Sequence, residues 1–361
     1  MGLFGWSKKS YVGVDLGGGG IKVVELISEK KRARLNTYGF TERAPDAEPL
    51  NLIDAEREAG ELLGRVFKKA KVTNNKAVAG LPIASVFSSV ITVPKGTDAD
   101  LQEAIKYQAK KLIPVPLEDM VLDFRPIRPD PKKAKAEETR GIEAKTVPVL
   151  ITGASRPMVQ KYLKVFKLAG LELESLETEA FGLIRSLIGK DRSTSMIVDI
   201  GAVRTNIIIV ENGIPYVTRS LDLGGITLTR VMAKAVDVSL REAEQMKRDV
   251  KSVQTIYPGE GIPKIFATAI APLLTELRYS MNLYAGQDGL HHGAAVEKII
   301  LTGGTAALPS LSLYFAKELG IRTYVGDPWA RVAYQDEMRP LLDEIGPRFS
   351  VAVGLAMRDL D

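Results

Sequence analysis

Apolar residues along the chain fall into short β-branched runs that end in acidic, glycine-rich turns, and into longer stretches with helical spacing. The clearest run of the first kind occurs twice. Residues 11–26, YVGVDLGGGGIKVVEL, are echoed in outline by residues 196–211, MIVDIGAVRTNIIIVE. Each copy reads as a strand ending in aspartate (Asp15, Asp199), a short glycine-bearing turn, and a second strand that starts at once (Ile21 to Ile27, Ile207 to Val210). The pattern predicts a β-hairpin in both places, and its recurrence predicts two lobes of related topology. A third turn, in KIILTGGTAALPSL at 298–311, reads as strand, Gly-Gly turn and helix, with Leu308, Leu311, Phe315 and Leu319 on one face and a stop at Gly320.

Residues 81–170 have an order of their own, which predicts an inserted α+β subdomain. A strand at Val86 to Val93 precedes a helix that starts at Thr97, where Thr97 and Asp100 have capping-box spacing, and ends at Pro114. Strands near 121–126 and 146–152 follow, then a helix from Ser155 and Pro157 to Gly170 that buries Met158, Tyr162, Val165 and Phe166. The charged segment 130–145 has almost no large apolar residue and reads as a loop. The expected division is a first lobe of 1–80 with 171–195, the insertion 81–170, a second-lobe core of 196–225 with 296–361, and a helical part at 226–295.

Composition narrows the chemistry. The 361 residues include no cysteine and two histidines, His291 and His292, which excludes disulfide scaffolds, thiolate metal sites and cysteine nucleophiles. A metal is therefore expected to be oxygen-bound, as magnesium is. No stretch approaches the roughly eighteen uncharged apolar residues of a membrane span; the longest candidate, Ile265 to Thr275, lies between Lys264 and Glu276. Residues 1–40 carry seven Lys or Arg against three acidic residues, a basic bias that suits either a solvated face or an anionic surface. Gly17 to Gly20 open into a strand rather than a helix, and Lys22 is not in a GxxxxGK[ST] context, so neither a Rossmann fingerprint nor a P-loop is present.

What remains is a nucleotide cleft between duplicated hairpins. Asp15 and Asp199, at strand ends beside glycines, can hold magnesium through its waters; alone, either reads first as a turn-capping residue, and the duplication reverses that preference in favour of the metal role. Gly17, Gly18, Gly19 and Gly20 allow close backbone approach to phosphate, and Lys22 offers a point charge. Ser239 and Glu242 form a second capping box, after which Glu244 and Lys247 share a helical face, either beside a nucleoside or as an ordinary ion pair. Glu177 and Glu179, before an apolar helix, can orient water toward a terminal phosphate or serve the helix dipole.

VDLGGGGIK, IVDIGAVRTNIIIV and LTGGTAALPSL resemble the two phosphate motifs and the adenosine motif of the actin, FtsA and heat-shock-chaperone ATPase superfamily; LETEAFGLIRSL and SVAVGLAMRD resemble its connecting segments. Within it, LPIASVFSSVITVPKGTDADLQEAIKYQAKKLIPVPLEDMVLDF and LLTELRYSMNLYAG are similar to the PilM family of type IV pilus assembly proteins. The resemblance implies an α/β, actin-like (ribonuclease H-like) duplicated two-lobe fold with a nucleotide cleft and an FtsA/PilM-type insertion. It implies ATP and Mg2+ as ligands, with Asp15 and Asp199 serving the metal. Gly17 to Gly20, Lys22, Gly201 and Thr205 would serve the phosphates, Glu244, Lys247, Gly303, Gly304 and Thr305 the nucleoside, and Glu177 the water. Ala202 stands where actin has a further aspartate, so binding is expected to outweigh hydrolysis, with at most weak ATPase activity. The implied partner is the N-terminal cytoplasmic peptide of PilN, gripped near Ile83 to Val93, which would bring a cytoplasmic protein to the inner membrane. Further platform or motor proteins and self-association remain open, and no nucleic acid is expected. An FtsA-type ATPase or filament former is the alternative; a carbohydrate kinase is disfavoured for want of a sugar-binding aspartate.

Overall fold

The computed structural model describes residues 9–29, 32–47, 51–127, 146–249, 262–287 and 295–360; the segment 130–145 and both histidines lie outside the described residues. In the first lobe β1 (Ser10–Gly17), β2 (Gly20–Glu29) and β3 (Arg32–Phe40) form an antiparallel meander. Helix α1 (Glu56–Ala70) buries Ala59, Leu63, Val66 and Phe67 at helical spacing, places Glu56 and Glu58 in its first turn, and ends where Lys71 turns left-handed at φ 54°. It returns the chain to β4 (Lys76–Leu81), which runs parallel to β1.

The inserted sheet is β5 (Val86–Pro94), β6 (Met120–Pro126) and β7 (Thr146–Ser155), with β7 central. Helix α2 (Asp98–Leu112) covers one face, and Ile105 and Ala109 pack on Ile91, Val93, Val149 and Ile151. Its Thr97–Asp100 capping box is formed: the Thr97 hydroxyl accepts from Asp100 N–H, and the Asp100 carboxylate accepts from Thr97 N–H at 3.1 Å. Helix α3 (Arg156–Leu168), capped by Ser155, departs from the expected division. Its Tyr162, Val165 and Phe166 join the first-lobe core with Leu63 and Phe67 of α1, so the separate subdomain ends with β7.

Strand β8 (Glu172–Thr178) adds parallel to β4, and helix α4 (Glu179–Leu187) carries the chain to the second lobe. There β9 (Ser195–Ile200), β10 (Thr205–Glu211) and β11 (Ile214–Leu221) repeat the meander. Helices α5 (Gly225–Val236), α6 (Leu240–Arg248) and α7 (Lys264–Ala285) follow, then β12 (Lys298–Thr302), α8 (Leu311–Leu319) and β13 (Arg322–Val325). The order β11-β10-β9-β12-β13 reproduces β3-β2-β1-β4-β8 of the first lobe, with the same two parallel pairings beside the meander, as the repeated sequence predicts.

The chain then crosses back. Strand β14 (Val332–Ala333) pairs parallel with β3 at the edge of the first sheet, and helix α9 (Arg339–Ala356) lies on β1 and α4. Residues 332–356, grouped by sequence with the second lobe, thus complete the first. The crossing depends on glycine: a Cβ at Gly13 would stand 2.0 Å from Ala352 O, and one at Gly354 1.8 Å from Gly182 O. Gly182 on α4 and Gly354 on α9 bring the two connecting helices together where the lobes join.

Candidate functional site

Both hairpins aim a turn into the cleft, and each aspartate faces a polar residue across its own ladder. Asp15 pairs with Lys22, whose Nζ is 3.2 Å from Asp15 Oδ2. Asp199 pairs with Asn206, whose Nδ2 donates to Asp199 Oδ2 at 3.3 Å. The turns meet tip to tip: a Cβ on Gly18 would lie 3.0 Å from Val203 Cγ2, and one on Gly19 3.1 Å from Ala202 Cβ. A third carboxylate, Glu179, opens α4 between them. Its Oε2 accepts from Ile83 N–H and from Asn206 Nδ2, each at 3.4 Å, linking first lobe, insertion entrance and second lobe.

Three carboxyl groups therefore share one end of the cleft with one nearby cation, Lys22. Burial, then the charge of Asp15, pushes Asp199 up to about 6, against the hydrogen bond from Asn206 and the charge of Lys22. Glu179 is raised well above the usual carboxylate range, by burial first and by Asp15 and Asp199 next. This end is short of positive charge, the electrostatic condition for receiving a hydrated divalent cation.

The opposite end is built by α6, α5 and the 303–305 turn. Lys247 Nζ donates to Gly225 O at 3.0 Å, to Thr229 Oγ1 at 2.8 Å and to Glu244 Oε2 at 2.6 Å; burial lowers its pKa while Glu244 opposes the shift. Gly225 can carry no side chain, because its Cβ would lie 2.5 Å from Thr305 Oγ1. Gly303, at φ 84°, would aim a Cβ to 2.6 Å from Asp199 Oδ1, and the Arg348 side chain backs Gly304. Between the two ends lies a cavity of about 530 Å³ walled by both lobes, a size suited to a small-molecule ligand.

The donor set fits a magnesium nucleotide. No group of three or more metal-ligating side chains converges among the described residues. Two aspartates facing the cavity suit magnesium, which keeps most of its waters and takes other oxygens from phosphate. The glycines leave room for that anion, since a Cβ at Gly17 would stand 2.9 Å from Lys22 Nζ.

Asp15, Gly17 to Gly19, Lys22, Asp199, Gly201, Glu244, Lys247 and Gly303 to Thr305 all line the cavity. Three expected residues do not. Glu177 is held outside it by Arg185 and by Arg358, whose Nε is 3.1 Å from Glu177 Oε1; Glu179, two residues on, occupies the cleft instead. Thr205 donates its hydroxyl to Leu223 O at 2.6 Å and fixes the loop before α5. Gly20, at φ 126°, packs against Thr41 O and shapes the hairpin. Asn206, Glu42, Arg248 and Arg348 line the cavity without having been expected. For Asn206 the signal was present, since it follows Asp199 by the interval that separates Lys22 from Asp15.

A family model described as type IV pilus assembly protein PilM matches residues 13–360. Among solved structures the chain is similar to a PilM-PilN type IV pilus biogenesis complex, at 25% identity and a TM-score of 0.79 over 97% of this chain and 98% of that one. Its fold is also that of the ethanolamine utilization protein EutJ from Carboxydothermus hydrogenoformans, at 18% identity and a TM-score of 0.53 over 96% of this chain and 89% of that one. Among curated relatives, cell division protein FtsA of Bacillus subtilis is 25% identical over 56% of this chain and 51% of its own length. FtsA of Neisseria meningitidis serogroup B is 25% identical over 79% of this chain and 73% of its own. The chain thus spans about half the length of the first FtsA and about three quarters of the second.

Proposed function

The chain belongs to the type IV pilus assembly protein PilM family, and from that premise we propose that it is an ATP-binding scaffold that holds the cytoplasmic N-terminal peptide of PilN. The observation that carries the reading is the similarity to the PilM-PilN complex over 97% of the chain. No described helix is long and apolar enough to cross a membrane, so attachment through a membrane partner suits the chain.

In the cleft, Asp15 and Asp199 would hold magnesium through its waters, and the backbone of Gly17 to Gly19 and Gly201 would meet phosphate oxygens. Lys22 would supply a point charge, and Glu244 and Lys247 would flank the ribose. When bound, the magnesium nucleotide would offset the crowded carboxylates and tie the two hairpin turns together. Glu179, which lines the cavity where Glu177 does not, would orient water. The peptide would lie against the Ile83–Ser85 turn and β5, where the insertion leaves the first lobe.

Fluorescence anisotropy of a labelled PilN N-terminal peptide, with Mg-ATP, with ADP and without nucleotide, tests the proposal. Saturable binding at micromolar concentration or tighter is expected; a folded protein that binds in none of the three conditions overturns the partnership. The FtsA relatives favour one other reading, an ATPase or filament former. Mg-ATP-dependent sedimentation of the protein would support it.

A further inference from the structure

The first lobe reaches across the mouth of the cleft. After β3, residues 41–47 leave the sheet and pass in front of the cavity, which Thr41 to Pro45 help to line. The root of this segment is tied into the hairpin that carries Asp15. Thr41 N–H donates to Ile21 O at 2.9 Å, Ile21 N–H donates to Thr41 Oγ1 at 3.0 Å, and Arg43 N–H donates to Gly19 O at 3.2 Å.

The same segment is tied to the opposite end. The Glu42 carboxylate lies between two guanidinium groups, that of Arg248 on α6 at 3.4 Å and that of Arg348 on α9. Asp46 lies 3.5 Å from Arg241, also on α6. Helix α6 is the element that presents Glu244 and Lys247 to the cleft, and Arg248 Nε in turn donates to Glu244 Oε1 at 2.9 Å. One short segment of the first lobe thus joins the turn beside Asp15 to the second-lobe helix beside the nucleoside position. A ligand seated between those ends would lie against a segment that is tied to both of them.

We propose that residues 41–47 form a clasp over the nucleotide cleft, closed by Glu42 on Arg248 and Arg348 and by Asp46 on Arg241, and that opening of this clasp sets the rate of nucleotide release. The proposal rests on the reading of the cavity as a nucleotide site and adds the device that governs exchange there. These pairs are partly solvent-exposed, so each contributes little alone. Glu42–Arg248 and Asp46–Arg241 act together across one gap, while Arg348, on the first-lobe side, holds Glu42 in place; the effect is sensitive to salt, because the screening length shortens from about 10 Å at 0.1 M to about 3 Å at 1 M.

The test is stopped-flow release of a fluorescent ATP analogue, chased with excess ATP in Mg2+, from the full chain. Glu42→Gln with Asp46→Asn is expected to speed release about 3- to 10-fold, the scale of two or three exposed ion pairs. Salt should speed release from the wild type more than from that variant, because the variant has already lost the screened pairs. Asp46→Arg and Arg241→Asp should each speed release, and the two together should restore it, a rescue that mere loop damage does not produce. Because the chain has no cysteine, Asp46→Cys with Arg241→Cys gives a unique pair for a short bis-maleimide, and closing it should trap bound nucleotide. Unchanged release in the neutralised variant, no rescue by the swap, or free escape from the crosslinked protein overturns the clasp. If the wild type binds no nucleotide at all, the cleft reading itself fails, which separates the two outcomes.

Discussion

Asp199 illustrates how single residues here are held against their own preferences. Its pKa is pushed up to about 6 by burial and by Asp15, whereas an unfolded aspartate ionises near 3.9. The ligand-free fold therefore resists ionisation that the unfolded chain accepts. The resulting penalty is absent below about pH 4, grows between about 4 and 6, and is complete above that. Asp199→Asn is expected to stabilise the ligand-free protein by about 1–3 kcal/mol at pH 7, with a gain that disappears toward pH 4, and to weaken Mg-nucleotide binding. Thermal melts across that range check it. Glu177 and Glu179 separate on similar grounds. Glu179→Gln is expected to lower any ATP turnover at least 10-fold while sparing binding. Glu177→Gln should leave turnover alone and cost about 1–3 kcal/mol of stability, because Arg185 and Arg358 lose the charge of a half-buried carboxylate and one of its acceptor oxygens. Steady-state turnover and melting of both variants decide this assignment. Sequence placed both glutamates near the helix start, and the resemblance chose Glu177; it is Glu179 that lines the cleft, because Glu177 leaves β8 toward arginines while Glu179 opens α4 into the cavity.

At the scale of elements, the hairpins were legible because their cause is local. A β-branched run, an aspartate, a glycine turn and a second run fix strand, turn and register together. The capping boxes at Thr97 and Ser239 were legible for the same reason, and both form with the expected partners. The neighbours of helices α3 and α9 were not. An apolar stripe states that a helix is buried on one side but carries no address, and α3 found α1 while α9 found β1 and α4. The contact of α9 with α4 has a steric requirement that can be tested. Gly354→Ala would drive a methyl into Gly182 O, an overpacking expected to cost about 1–3 kcal/mol, with loss of nucleotide affinity as the lobes shift. Chemical denaturation and nucleotide titration measure the two effects. Gly170→Ala is the contrasting control, since nothing stands within 4 Å of its Cβ and only its φ of 73° opposes the change.

For the whole molecule, the cleft has walls from both lobes, and beneath it one core joins them: Val78 and Ile83 of the first lobe pack with Ile197, Ile208 and Ile300 of the second around α4 and α9, and the contact of β11 with β5 and the Ile83–Ser85 turn and the strap at 41–47 add to it. A ligand that spans the cleft should therefore raise the stability of both lobes together. With Mg-ATP at about 100 times its Kd, linkage adds about 2.7 kcal/mol. A single cooperative melt that moves to higher temperature is expected, and calorimetry would reveal instead a lobe that melts unaffected. The two-lobe plan was legible from the repeat, whereas the return of the chain to the first sheet was not: β14 is a two-residue pairing with no periodicity to read.

That return has a consequence for how the protein is made. The first lobe cannot close its sheet edge or cover β1 until Val332 to Ala356 have left the ribosome. At about 5–20 residues per second, the emerged amino-terminal half waits on the order of ten seconds or more with Val24, Leu26 and Leu35 uncovered. The second-lobe sheet, complete at Val325, has emerged before that cover arrives, so the half that is made first is among the last to complete its core.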